Sequence, residues 1–236
     1  MRVIAIETSG TVASVSVVND KKVECEFFLN NKLQHSTVLF PIIENVLNSL
    51  GIKINDLDGV AVSGGPGSFT GLRIGVATGK GLVQGSNRKF IGISTLDTLA
   101  YQNSSFDYLM CPIMDALHDN VYTALYTLKE NDVEKVLDYD AIHIDELLEK
   151  LKSYNKKIIF EGDACIMHKE KIKEVLKDMA VFSLPMNNMP RASTLGVLAV
   201  ERLSKGIEDS IFTFSPIYIR KSQAEREYEA KMGIKE

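Results

Sequence analysis

The stretch from Ser63 to Gly85 constrains this chain more than any other: Ser-Gly-Gly-Pro-Gly-Ser-Phe-Thr-Gly-Leu-Arg-Ile-Gly-Val-Ala-Thr-Gly-Lys-Gly-Leu-Val-Gln-Gly. It follows an apolar run at residues 59–62 that reads as a buried strand. Gly64, Gly65 and Gly67 open backbone angles closed to other residues, and Pro66 fixes a turn between them. Ser68 or Thr70 supplies the cap for a helix starting near Gly71. Within that helix Gly71, Gly75 and Gly79 share one face, while Ala77, Gly81 and Gly85 form a second row of small residues. Each interior glycine costs roughly 0.8–1 kcal/mol relative to alanine. A helix that keeps so many needs a close approach in return, by another helix, a sheet or a ligand.

A glycine loop ahead of a helix suits phosphate, because free amides and the helix dipole face the anion. The specific phosphate motifs nevertheless do not fit. Ser-Phe-Thr between Gly67 and Gly71 is one residue too long for the dinucleotide fingerprint. Ile74 stands where a P-loop ending at Gly79-Lys80 needs its first glycine, and Gly81 where it needs Ser or Thr.

Around this unit the chain reads as alternating strands and helices. Residues 2–7, 11–19 and 22–29 form a three-strand meander, with Asn19-Asp20 as a turn. Val38, Leu39, Ile42, Ile43, Val46, Leu47 and Leu50 mark a helix ending at Gly51, and Pro41 implies a kink or a late start. A strand at 90–93 and a helix capped by Ser94-Thr95 and running to residue 100 follow. Residues 101–107 are polar and read as a linker. Beyond them come strands at 108–114, 120–128 and 133–137, a helix at 145–154, a strand at 157–160, and helices at 168–179 and 193–205. This order predicts an α/β protein of two ribonuclease H-like domains, of the actin-like ATPase and sugar kinase type, with mixed sheets flanked by helices. The expected division is 1–103 (partner-binding), 104–215, and a tail at 216–236 whose helix over 224–231 packs back on the body. No internal sequence repeat is visible.

With 236 residues, 45% hydrophobic and 25% charged, the chain builds an ordinary globular core. Its formal charge of −4, from 27 basic and 31 acidic residues, argues against an autonomous nucleic-acid binder. Cys25, Cys111 and Cys165 show neither zinc nor disulfide spacing and read as free thiols. The first residues read as a strand rather than a signal peptide, and no run reaches the ~18 apolar residues of a membrane span. A cytoplasmic location away from the membrane is therefore expected.

Gly-Pro-Gly-Ser-Phe-Thr-Gly-Leu-Arg-Ile-Gly, from Gly65 to Gly75, resembles the signature of the bacterial TsaB (YeaZ) family. Ile4 to Ser9, Gln34-His35-Ser36, Gly92 to Leu96, Asp115, Val121-Tyr122 and Pro216 to Arg220 are similar to the family as well, densely over residues 1–100 and thinly beyond. Glu7 stands where Asp is common, and Leu117 where the family usually carries Arg.

The resemblance implies a scaffold and activator of TsaD, which forms the threonylcarbamoyl group on the adenosine beside the anticodon of tRNAs reading codons that start with A. It implies a TsaE-like ATPase as a further partner, a functional link to a TsaC-type enzyme, and tRNA contact only through the complex. A homodimer stays open. TsaD-type subunits carry a His-x-x-x-His metal pair; here His35 is followed by Leu39, so neither a metal centre nor a catalytic residue is expected. Glu7, Ser9 and Asp115 read as the remnant of a nucleotide site. No cofactor is expected, with nucleotide only at the assembled complex. The partner interface is assigned to His35, Leu39 and Ile43 on one helix, and to Phe69, Gly71, Arg73, Gly75, Val76 and Gly79 on the glycine helix. The competing placement puts the glycine face inside its own domain. The alternative function is an ATP-dependent phosphotransferase or ATPase, which needs acidic metal ligands in both domains; Glu7 and Asp115 are its candidates.

Overall fold

The computed structural model describes residues 1–31, 34–105, 107–130, 132–220 and 232. The first half contains β1 (Arg2–Glu7), β2 (Val12–Asn19), β3 (Val23–Asn30), α1 (His35–Leu50), β4 (Gly59–Ser63), α2 (Phe69–Ser86), β5 (Lys89–Ile93) and α3 (Thr95–Gln102). The second contains β6 (Leu109–Asp115), β7 (Asn120–Lys129), β8 (Asp132–His143), α4 (Ile144–Lys152), β9 (Ile158–Glu161), α5 (Ala164–Leu176), β10 (Ala180–Phe182) and α6 (Ala192–Ser204). The strands order as β3-β2-β1-β4-β5 and, in the same sense, β8-β7-β6-β9-β10. In each sheet the first three strands are antiparallel and the last two join in parallel. The fold is thus the expected pair of ribonuclease H-like units. The duplication that the residues conceal is plain in the topology.

Alternation along β1 explains the layers. Ile4 and Ile6 face one side, where α1 and α2 cover them. Val3 and Ala5 face the other, where α6 packs. That placement corrects the expected division of the chain. α6 and the segment after it lie on the first sheet, not the second: Asp209 N–H donates to Phe90 O (2.8 Å), and Ile211 and Phe214 join the α1/α2 core. The apolar stripe of α6 announces a buried face without saying which sheet it meets. Three smaller expectations also shift. α1 runs from His35 through Pro41 without a late start. α5 begins at Ala164, after Gly162 at φ 108°, and not near His168. β10 is too short for its periodicity to register. The expected helix over 224–231 falls outside the described residues.

α3 and α6 are tied to the second sheet by one carboxylate. Asp97 Oδ1 accepts from the hydroxyls of Tyr126 (2.8 Å) and Tyr139 (2.7 Å), and its Oδ2 pairs with Arg202 (2.8 Å). Burial, followed by the nearby Asp97 charge, raises both phenols above their ordinary range, so each stays a donor.

The glycine face of α2 is also an internal contact. Gly71, Gly75 and Gly79 are buried. A Cβ at Gly71 would run into the Thr8 carbonyl, at Gly75 into the Thr8 hydroxyl, and at Gly79 into Val62 Cγ1. The helix lies so near β1 that the Thr8 hydroxyl donates to Gly71 O at 2.9 Å. Gly75→Leu is therefore expected to destabilise the isolated chain by about 1–3 kcal/mol, as overpacking does. At roughly 2–4 °C per kcal/mol for a chain of this size, a thermal melt reads it directly; an unchanged melting temperature would contradict the contact.

Candidate docking face and interdomain cleft

α1 and α2 cover the same face of the first sheet, and their inward sides are spent on it. Leu39 and Ile43 of α1 and Val76 of α2 are core residues. With Gly71, Gly75 and Gly79, they cannot supply free contact surface, which corrects six of the expected interface positions. The reason is helical geometry: the row that lets α2 approach the sheet cannot also face away from it. The side turned outward carries Arg73, Ala77, Gly81 and Gly85, all exposed. A Cβ at Gly81 or Gly85 meets nothing within 4 Å. On α1 the outward residues include Phe40, 58% exposed, and Pro41. His35 is half-buried and donates from Nε2 to Val12 O (3.0 Å), a local bond that anchors the start of α1.

Of the expected positions, Phe69 and Arg73 reach the surface together. Ser68 caps α2 by accepting from Gly71 N–H (3.2 Å), and the first turn then presents Phe69 half-buried. The Arg73 guanidinium lies 3.9 Å above its ring. Among the described residues no carboxylate pairs with Arg73.

Beside this face a cleft of about 410 Å³ opens between the two halves. The turn after β1 (Ser9 to Thr11) and the loop from Pro66 to Phe69 form one wall, the end of β6 (Met114 to Leu117) with Asp163 another, and Ile217 to Arg220 a third. Ser9 and Asp115, two of the three positions read as a nucleotide remnant, thus meet across one cleft. Glu7 lies behind it, fully buried, accepting from Ser9 N–H (2.6 Å). Burial raises its pKa against the opposing hydrogen bonds of Ser9 and Ser63. Asp115 is engaged by its own turn, accepting from Leu117 N–H (2.8 Å), and its N–H donates to Asp163 (3.0 Å). Among the described residues no group of three or more His, Cys, Asp or Glu is placed to hold a metal ion. The same holds for membrane spans: no described helix is long and apolar enough to cross.

With this geometry in place, known proteins offer a comparison. The family model described as "TsaD: tRNA N6-adenosine threonylcarbamoyltransferase" matches residues 28–228. The tRNA threonylcarbamoyladenosine biosynthesis protein TsaB of Bacillus subtilis is 31% identical over 228 residues, covering 97% of this chain and 98% of the relative. The chain belongs to the TsaB family. Its Escherichia coli member is 28% identical over 231 residues, covering 95% of this chain and 96% of the relative. A solved Pseudomonas aeruginosa structure, described as similar to peptidase YeaZ, superposes with a TM-score of 0.79 at 21% identity. It covers 93% of this chain and 99% of its own, and it speaks for the fold alone.

Several residues of the outward face and the cleft carry no sequence signal that assigns them to either. The row Ala77, Gly81 and Gly85 was visible as small residues, but pattern alone does not say which of two rows meets the sheet. Phe40 was detectable as an aromatic outside the apolar periodicity of α1. Asp163 carries no motif, and Pro216 to Arg220 matches the family pattern without indicating that it reaches the cleft.

Glu161 is the second fully buried carboxyl, at the end of β9. Neither oxygen has a hydrogen-bond partner among the described residues, and burial raises its pKa well above the ordinary 4.5, eased by the Asn103 amide. The folded state therefore keeps a proton that the unfolded chain releases above pH 4.5, so this residue's contribution falls as pH rises. Glu161→Gln has no such dependence. It is expected to stabilise the protein at pH 7–8 relative to the wild type, by an amount that grows with pH. The advantage should disappear as the pH falls to 4.5 or below. Melting curves across this range check the sign; a destabilising Gln at pH 8 would refute it.

Proposed function

We propose that this chain is a non-catalytic subunit of the machinery that makes threonylcarbamoyladenosine on tRNA, binding a TsaD-like catalytic subunit through the outward faces of α1 and α2. The relatives named for this biosynthesis supply the pathway. The single observation that carries the docking role is the α2 surface: Ala77, Gly81 and Gly85 are exposed, and a Cβ at Gly81 or Gly85 would meet nothing within 4 Å among the described residues. Glycine at an exposed helix position costs roughly 1 kcal/mol with no internal return. Close approach of a second backbone supplies that return, with Arg73 and Phe40 as the large side chains at its edges.

The partner is argued from kinship. A model described by the transferase matches most of this chain, so the two subunits share a fold. Related subunits with equivalent helices can meet face to face in a pseudo-symmetric pair. A catalytic role for this chain finds less support. Leu39, the position four residues after His35, is a core residue. Glu7 is sealed from the cleft and holds its proton more firmly than a free carboxylate, a poor basis for binding a metal–nucleotide. The TsaE-like ATPase and the TsaC-type enzyme complete the proposed system, and tRNA meets this chain only within it.

Reconstitution tests the reading. The isolated chain is expected neither to modify tRNA nor to hydrolyse ATP, and to bind tRNA weakly given its charge of −4. Adding it to the same organism's TsaD-like protein and accessory enzymes should raise modification. Gly81→Leu should leave the melting temperature unchanged or higher, since leucine favours the helix. The same side chain in a close interface should weaken partner binding by about five- to a hundredfold. Unaltered affinity for the partner would remove α2 from the interface, and ATP turnover abolished by Glu7→Ala would restore the enzymatic alternative.

A further inference from the structure

The start of the glycine loop, Gly64 and Gly65, packs against the chain's own C-terminal segment, while Pro66 to Phe69 line the cleft. After α6 the chain returns across the first sheet, where Gly92 N–H donates to Asp209 (2.9 Å). Phe214 then packs edge-on against Phe90, with 5.3 Å between ring centroids, while Lys80 of α2 donates to Phe214 O (2.8 Å). A Cβ at Gly92 would run into the Phe214 ring. At Gly65, held at φ 92°, a Cβ would sit 2.9 Å from Ile217 O. Ile217 N–H donates to Gly64 O (2.7 Å). Gly65 and Gly92 thus make room for a strap.

The strap ends on the docking face. Tyr218 packs on Phe69, with ring centroids 4.8 Å apart, and its hydroxyl accepts from Arg73 Nε (3.3 Å). Arg220 then reaches the far wall of the cleft, donating to the carbonyls of Ala116 and Leu117. The Arg73 guanidinium is held between a ring below and a hydroxyl beside it, in the first turn of α2, facing outward with no carboxylate partner among the described residues. An arginine fixed in this way loses little freedom on forming a bidentate pair.

We propose that Tyr218 is a positioning residue of the partner interface: through Phe69 it holds Arg73 in place for a carboxylate on the partner's surface. The inference rests on the docking role proposed above. The experiment uses the full chain and the same organism's TsaD-like protein. It measures affinity at low and moderate salt for the wild type, Tyr218→Ala, Arg73→Ala, the double variant, and Gly81→Leu as a reference for the face itself. Tyr218 is 41% exposed, so its loss should scarcely alter the melting temperature. Tyr218→Leu, which keeps apolar bulk on the strap, serves in its place if the alanine variant melts early.

Tyr218→Ala and Arg73→Ala are each expected to weaken binding at least fivefold, with a flatter salt dependence than the wild type, because the same ion pair is lost. The double variant should be no weaker than Arg73→Ala. Tyr218→Phe, which keeps the ring, should recover most of the affinity. Wild-type affinity in Tyr218→Ala, or losses that multiply in the double variant, would overturn the proposal while a weakened Gly81→Leu still upholds the docking face. If Gly81→Leu and Arg73→Ala also bind normally, the docking role itself fails and this inference with it.

Discussion

The contact on which the rest depends is the one between Thr8 and the glycine face of α2. A threonine hydroxyl bonded to the carbonyl of Gly71 requires the helix to lie closer to β1 than side chains ordinarily allow. That approach fixes where α2 begins, and hence where Phe69 and Arg73 emerge. It also directs the loop before the helix over the turn after β1, where Ser68 N–H donates to Ser9 O (2.6 Å). The cleft, the outward face of α2 and the seat of the C-terminal strap all take their positions from this one close approach.

Much of this was legible in the residues. Periodicity and turn chemistry gave nearly every element, because strands buried on both faces and helices with one apolar stripe leave strong patterns. The strand–loop–helix unit at Ser63 to Gly85 was clear because glycine and proline punctuate so strongly. The competition between glycine rows was not resolvable in the same way. Two rows of small residues on one helix are chemically alike, and only packing separates the row pressed on Thr8 from the row left in solvent. The site suffered most from this. Leu39, Ile43 and Val76 have the apolar character of an interface and of a core alike, and the core claimed them. Long-range returns were equally hidden: nothing local in Ala192 to Ser204 distinguishes a helix closing the second sheet from one closing the first.

The strap changes the meaning of the glycine loop. In a nucleotide-binding protein such a loop keeps an empty space for a ligand. Here Gly65 of that loop and Gly92 of β5 accommodate Ile217 and Phe214, parts of the same molecule. A family signature read only as a ligand motif would miss this, since the segment that packs against the start of the loop lies far along the chain.

The Asp97 carboxylate has a consequence for the body as a whole. Hinged enzymes with two lobes work by changing the angle between them around a ligand. In this chain a single carboxylate is shared among α3, β7, β8 and α6, and Arg220 separately bridges the cleft to the end of β6. A frame braced on both sides does not transmit motion well, but it preserves distances.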